Sequence, residues 1–481
     1  MIGLEVHAQL LTESKMFCGC SARYAGAPPN SHVCPVDLGL PGSLPVINGH
    51  ALESALMAAL ALNCEIAEVT RFDRKNYPYP DIPKGYQISQ YDTPLGRDGF
   101  VELESDGRPR RIGIIRAHVE EDTGKTIHAS VGGREVSLVD YNRSGVPLLE
   151  IVSEPDITTA EEARSYFSTL REILVYLGVN SGDMQEGALR ADVNVSVSKP
   201  GEPPGVKVEI KNLNSFRAVE RAVRFEIDRQ IATIEGGGGL SQETRGWDDE
   251  REVTIAQRGK EFAEDYRYFP EPDLPPLTFD RNRIDAMRTR LPETAGAKRS
   301  RYVSELGLSR YDAEVLARDK AVAALFDATV VIAGPGMAKP AANWLTGEFA
   351  RLLGERGIEP AGSLITPAIL GELLGLLADG TITTPVAKAV FEDAFASGDS
   401  PLAIVDRRGL RQVSNRSELE AIVRAVLEAN PALASDYVTK DRKTEGPLVG
   451  RVMAASGGKA NPEQVKQIIA GLLIETGDAQ P

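Results

Sequence analysis

The chain has 481 residues, 42% of them hydrophobic and 26% charged, with a formal net charge of −15; this is a soluble globular composition, long enough for two or three domains. Such acidity excludes general affinity for nucleic acid, which rests on clustered Lys and Arg, and leaves only a local basic face for that purpose. No apolar run reaches the roughly 18 residues of a spanning helix, no signal-peptide pattern opens the chain, and the few cysteines do not make a disulfide framework, so a cytoplasmic protein with no membrane association is expected.

A first strand is predicted over residues 2–11, with Ile2, Leu4, Val6, Ala8 and Leu10 on one face and Glu5, His7 and Gln9 on the other. An apolar face backed by Glu-x-His is the pattern of a metal-bearing strand, and also of an ordinary half-exposed one. The following stretch, MFCGCSARYAGAPPNSHVCPVDLGLPG, carries Cys18, Cys20, Cys34 and Asp37. This is close to a zinc knuckle with a carboxylate in the fourth position; the alternative is three buried or idle thiols. Cys64, at the end of the helix-like ALESALMAALALNC, is read as core packing.

Residues 71–95 set Lys75 and Lys84 among Tyr77, Tyr79, Tyr86, Tyr91 and several prolines. Proline disfavours helix and central strand, so a loop held by packing is expected. Lysines beside stacking aromatics fit a nucleotide or a phosphorylated group, or simply a proline-rich surface loop.

Read as a regular strand, IGIIRAHVEED puts Ile112, Ile114, Arg116, His118 and Glu120 on one side and Ile115, Ala117, Val119 and Glu121 on the other. In VPLLEIV, Glu150 sits amid apolar residues, and an ionised carboxylate is costly to bury without a partner. Arg143 is one candidate partner and a cation the other. Glu5, His7, Glu150 and a carboxylate from the Glu120–Glu121 pair make an oxygen-rich set that suits Mg²⁺ or Mn²⁺ better than Zn²⁺. Alternation leaves Glu120 and Glu121 equally eligible.

An amphipathic helix follows in AEEARSYFSTLREILVYLG. Two further strands repeat the two-faced character: LRADVNVSV exposes Arg190, Asp192, Asn194 and Ser196, and VKVEIKN exposes Lys207, Glu209 and Lys211. Several strands with mixed charged faces point to one concave antiparallel sheet lined for chemistry. A second helix, from about 217 to 234, ends at EGGGGL, which lacks the Gly-Lys-Ser/Thr of a phosphate loop and reads as a hinge. From about residue 280 the pattern is helical, and 401–481 reads as a separate small domain. Its segment DYVTKDRKTEGPLVGRVMAASGGKANP reads as a basic loop bearing Lys440, Arg442, Lys443, Arg451 and Lys459, either a solvated surface or a contact for an RNA backbone.

The strings GLEVHAQL, FDRKNYPYPDIPKGYQISQYDTPL, HVEEDTGK, DYNRSGVPLLEIVSEPD, EIKNLNSFRAVE, QETRGWD, DYRYFPEPDLPP and VMAASGGKANPEQV together resemble the B-subunit family of the glutamyl/aspartyl-tRNA amidotransferases over essentially the whole chain. The resemblance implies an α+β architecture: a cradle-like antiparallel-sheet domain related to the glutamine synthetase and guanido kinase folds over 1–290, a helical domain over 291–400 and a helical tRNA-binding tail over 401–481. It implies Mg²⁺-ATP phosphorylation of the side-chain carboxylate of misacylated Glu-tRNA or Asp-tRNA, followed by displacement of phosphate by ammonia. The ammonia would come through a channel from a glutaminase A subunit, with a small C subunit around the pair. The family's metal residues fall on Glu5, His7, Glu121 and Glu150, and Lys75, Tyr79 and Lys84 match its channel mouth. Asp37 replaces the fourth cysteine of the family's zinc site. From their strand faces, Arg190, Lys207 and Lys211 are expected to steady phosphate charge. No amidase stretch and no Cys-His nucleophile setting is found, so ammonia must be made by a separate polypeptide. A non-catalytic tRNA-binding scaffold is the competing reading.

Overall fold

The alternation in the first residues of the chain builds a strand at the middle of a nine-stranded sheet. The structure is a computed structural model; it describes all residues except 106, 200, 260–265, 413–415, 440–441 and 478–481. Two units are distinguished, Met1–Thr294 and Ala295–Pro481.

The strands of the first unit are β1 (Ile2–Gln9), β2 (Glu65–Ile66), β3 (Val69–Thr70), β4 (Asp73–Asn76), β5 (Tyr86–Ser89), β6 (Gly96–Ser105), β7 (Arg108–Glu121) and β8 (Lys125–Val131). They continue with β9 (Arg134–Asp140), β10 (Pro147–Ser153), β11 (Leu189–Val195), β12 (Val208–Leu213), β13 (Glu243–Asp248), β14 (Val253–Gly259), β15 (Phe269–Pro270) and β16 (Leu277–Thr278). The main sheet has the order β14-β13-β12-β11-β1-β10-β7-β6-β2. Its pairs are antiparallel except β12–β13, which is parallel.

One face of this sheet is apolar because every second residue of its central strands is. Ile2, Leu4, Val6 and Ala8 of β1 join Leu149 and Ile151 of β10 and Ala191, Val193 and Val195 of β11 in one core. Helices α1 (Gly49–Ala61), α2 (Ala160–Leu177) and α3 (Phe216–Glu235) pack on the sheet and contribute Leu56, Tyr166, Phe167, Leu170 and Val219 to that core. Full burial of such a side chain stabilises by roughly 1.5–3 kcal/mol. Helix α2 starts where the Thr159 side chain accepts from the Glu162 amide and stops at the left-handed Gly178, an N-cap and a C-cap that the sequence supplies locally. The α1 end comes so close to β6 that a Cβ on Gly99 would lie 2.5 Å from the Cys64 sulfur. Cys64 is buried there, as core packing requires.

Two expectations are corrected. The regular alternation expected from Ile112 to Glu121 is broken by one extra residue: Val152 pairs with Arg116, but Ser153 pairs with Ile114. Ile112 and Ile114 therefore share the core face with Ala117 and Val119, while Arg116, His118 and Glu120 take the other face and Ile115 is exposed. The proline-rich stretch 71–95 is not all loop either. Its β4 ends before Pro78 and its β5 lies between Pro83 and Pro94; the two pair with each other and form a three-stranded sheet with β15.

The second unit is helical, and among the described residues no helix of the chain is long and apolar enough to cross a membrane. Near its end Leu419, Val423, Tyr437, Leu448, Val452, Val465 and Ile469 form a small core of their own. The stretch read as a basic loop holds the end of one helix, Pro431–Thr439, and the whole of another, Glu445–Ala455, because Tyr437, Leu448 and Val452 turn inward into that core.

Candidate active site

On the face of the main sheet opposite the helices, pairing register draws side chains into a row. His118, Glu150, His7 and Arg190 are directly opposite one another across β7, β10, β1 and β11. A second row, one pleat along, has Glu120 opposite Leu148 and Leu148 opposite Gln9; a third has Glu5 between Val152 and Asp192. Buried polar groups on a sheet face need partners, and here they are each other's.

Glu150 is 7% exposed and its Oε2 lies 3.4 Å from Nε2 of both His7 and His118. Glu120, 2% exposed, lies 3.8 Å from His7 Nε2 and 3.9 Å from His118 Nε2. Two carboxylates and two imidazoles thus alternate around a small space, and donor atoms of His7, Glu120 and Glu150 all come within 4.8 Å of one another. Ser89 Oγ donates to Glu120 at 3.2 Å, fixing it from β5. The Nδ1 atoms of His7 and His118 are buried without a hydrogen-bond partner.

The electrostatics separate these groups. Burial, reinforced by the Glu150 charge, pushes Glu120 up to about 7. Burial acts on Glu150 in the same direction but is outweighed by His118, His7 and Lys75, and this carboxyl is held well below its ordinary range. Burial and neighbouring cations push His118 down to about 4. For His7, burial is overcome by its hydrogen bond to Glu150 and by that residue's charge, which raise its proton affinity. Glu5 is raised by burial and by Glu150, Glu209 and Asp192, and Asn194 donates to it at 2.9 Å. Two buried carboxylates that repel each other, with imidazole nitrogens between them, fit a divalent cation that accepts mixed oxygen and nitrogen ligands.

Of the expected metal residues, His7 and Glu150 meet in this cluster and Glu5 adjoins it on the same face. Glu121 turns to the opposite side of β7 from Glu120, where it binds Lys84 and accepts from the Ile88 amide at 3.0 Å. Arg143 is not the partner of Glu150. It donates to the carbonyls of Thr123 and Gly124 and lies 3.7 Å from Asp122, because the turn before β10 directs it to that side.

Asp122 is shared by Arg143 and Arg190, the latter at 3.2 Å, and accepts from Gln9 at 2.8 Å. Burial would raise this carboxyl, but the two guanidinium groups bring it down to about 2. Arg143 and Arg190 also line a cavity of about 290 Å³ with Tyr24, Lys125, Met184 and Asn214. Lys211 is held by Asp192 at 2.9 Å and Glu209 at 3.4 Å, whereas Lys207 is exposed on the approach to β12. Arg190 is thus the one of the three expected phosphate residues that faces this cavity.

Lys75 lies between aromatic rings, 5.0 Å from that of Tyr266 and 5.8 Å from that of Tyr77. Burial would lower its proton affinity, but Glu120, Tyr268, Tyr77 and Glu150 raise it. Tyr79 packs edge-on against Tyr77 and is 43% exposed. Tyr266 and Tyr268 escaped sequence reasoning, although their alternation in DYRYF was the available signal. They are delivered by β15, which Arg74 anchors through a two-pronged contact with Glu271 at 2.6 and 2.8 Å.

Cys18, Cys20, Cys34 and Asp37 also come within 4.8 Å of one another, and all four cysteines of the chain are free thiols. Asp37 already binds the fully buried Lys15 at 3.2 Å and the Cys34 amide at 2.9 Å. Burial, with Asp37 beside it, pushes Cys20 up to about 11 and Cys18 higher still. In the second unit, Arg442, Lys443 and Arg451 are exposed and Lys459 is half-buried; Lys440 lies outside the described residues.

A deep set of carboxylates and imidazoles on one face of a helix-backed sheet, with arginines beside a cavity, has the make-up of an enzyme active site. Residues 1–285 match the family model described as the GatB/GatE catalytic domain, and residues 324–473 match the GatB domain. The chain belongs to this family. It is 53% identical over 473 residues to the B subunit of the aspartyl/glutamyl-tRNA(Asn/Gln) amidotransferase of Roseiflexus sp., covering 97% of this chain and 96% of that one. It is 50% identical over 477 residues to the protein of the same name from Carboxydothermus hydrogenoformans, covering 99% and 98%.

Proposed function

We propose that this chain is the catalytic B subunit of a glutamine-hydrolysing amidotransferase of the cytoplasm that converts misacylated Glu-tRNA(Gln), Asp-tRNA(Asn) or both into Gln-tRNA and Asn-tRNA. The observation that carries the reading is the buried cluster of His7, Glu120 and Glu150 in a chain half identical, over its whole length, to relatives of that name. A scaffold has no use for two carboxylates driven together at such a cost.

A carboxylate is a poor electrophile because its leaving group would be oxide. In the proposed reaction the γ-phosphoryl group of ATP passes to a side-chain oxygen of the tRNA-bound Glu or Asp, releasing ADP. Ammonia then attacks the acyl carbon, the carbon–oxygen bond to phosphate breaks, and inorganic phosphate and a proton leave. His7, Glu120 and Glu150, with Glu5 adjoining, would hold Mg²⁺, which would neutralise phosphate charge during the transfer. Arg190 offers a guanidinium to the phosphate from the cavity side, and Asp122 keeps it in place. Lys75, Tyr79 and Lys84 form the side from which ammonia arrives. The nitrogen source is a glutaminase A subunit, and a small C subunit completes the assembly. Zinc at the Cys18, Cys20, Cys34 and Asp37 cluster would be structural. Residues 401–481, through Arg442, Lys443, Arg451 and Lys459, grip the tRNA, with 291–400 as the helical link from the 1–290 catalytic domain.

The test is ATP-dependent amidation of Glu-tRNA and Asp-tRNA with free ammonia, with the A and C subunits present, comparing the wild type with Glu150→Ala at saturating Mg²⁺. Activity that collapses in the variant supports the reading. Equal activity of both proteins refutes the cation site, and no activity in either favours a scaffold.

A further inference from the structure

We propose that His118 is a positioning residue of the cation seat: its imidazole holds the Glu150 carboxylate from the side opposite His7 and so sets the affinity of the site for a divalent cation. The inference rests on the proposed reading of His7, Glu120 and Glu150 as that seat.

The placement is made by the backbone. His118, Glu150 and His7 occupy directly opposite positions on three adjacent strands, so the two imidazoles flank one carboxylate from left and right. Both reach the same oxygen, Glu150 Oε2, at the same 3.4 Å. His118 Nε2 is also 3.9 Å from Glu120, so this ring touches both carboxylates of the cluster.

Packing alone does not account for the residue. His118 is 3% exposed, and its Nδ1 is buried with no hydrogen-bond partner. A side chain there for bulk would be cheaper as Leu or Val, which strand no buried nitrogen. The ring's close polar contacts run through Nε2, toward the carboxylates. Removing it leaves Glu150 held from the His7 side alone and free to turn away from Glu120. Groups that orient metal-binding side chains commonly change metal affinity 10–100-fold when lost.

The probe is Mn²⁺ titrated into the assembled amidotransferase complex, with binding read by calorimetry or electron paramagnetic resonance and thermal unfolding in chelator as the measure of folding. His118→Ala is expected to weaken Mn²⁺ binding by about 10–100-fold. His118→Gln, whose amide nitrogen can reach Glu150, should restore a large part of that loss, and His118→Asn, too short to reach, should not. Wild-type affinity in folded His118→Ala overturns the proposal. Should the Ala variant fail to fold, equal affinities of the Gln and Asn variants overturn it instead. Glu150→Gln separates the two levels: if the wild type and this variant bind Mn²⁺ alike, the seat itself is wrong, whereas loss in Glu150→Gln alone condemns only the role of His118.

Discussion

Glu120 and Glu150 stand on neighbouring strands with the same two imidazoles between them, yet one is raised to about 7 and the other held well below the usual carboxylate range. The pair thus holds a proton near neutrality, which a cation bound there as proposed would displace. A carboxyl raised from 4.5 to about 7 favours the protonated form in the folded state, so stability without metal falls as pH rises through that window.

Cation binding should therefore be linked to proton release. Mn²⁺ titrated in buffers of different ionisation enthalpy is expected to release protons at pH 6, from Glu120 and from His7, and fewer at pH 8. Binding with no proton release at pH 6 would mean that Glu120 is not a participant.

Glu120 and Glu121 are adjacent in sequence and opposite in space, so their variants should part company. Glu120→Gln is expected to lower Mn²⁺ affinity about 10–100-fold with little effect on folding. Glu121→Gln leaves the nearly buried Lys84 unpaired and should cost about 3–5 kcal/mol of stability in urea unfolding. If instead Glu121→Gln abolishes Mn²⁺ binding, the seat shifts to the other side of β7.

Asp122 is the counter-charge of two arginines. Its carboxyl is depressed from 3.8 to about 2, so it contributes stability that is full above about 4 and lost as pH falls toward 2. Asp122→Asn should destabilise by about 3–5 kcal/mol at neutral pH, with a smaller loss relative to wild type at acid pH. Denaturant unfolding at two pH values checks this.

Lys15 and Asp37 form an ion pair next to the three thiols. Asp37→Ala strands a fully buried ammonium and is expected to cost about 3–5 kcal/mol, whereas replacing both partners with apolar residues should recover most of it. Zinc content by elemental analysis, measured in the same variants, shows whether metal loss accompanies the destabilisation or is absent from the wild type as well.

Much of this was legible in the sequence because strand alternation is short-range. The two faces of β1, β11 and β12, the helices α2 and α3, and the need of Glu150 for a partner all follow from residues within a few positions of one another. The identity of that partner did not. His7 and His118 reach Glu150 through pairing register, which depends on strand order, and Arg143 is diverted by a local turn. His118 was visible as a polar position but assigned no role, since only the neighbouring strand shows what it faces. Likewise Tyr266 and Tyr268 come to Lys75 only because β15 adds to β4 from far along the chain. The basic segment near the C-terminus was misread for the opposite reason: its charges drew attention from the apolar residues at helical spacing that fold it.

The extra residue in β7 opposite Ser153 has a consequence for how this chain tolerates change in length. Were β7 one residue shorter there, by loss of the exposed Ile115, plain alternation would still set Ile112, Ile114, Ala117 and Val119 against the helices and His118 and Glu120 on the other face. Past the bulge there is no such slack: one residue lost or gained in the regularly paired stretch from Ala117 to Glu121 turns over the side chains beyond it, so among related chains a change in the length of β7 is expected at the bulge and not after it.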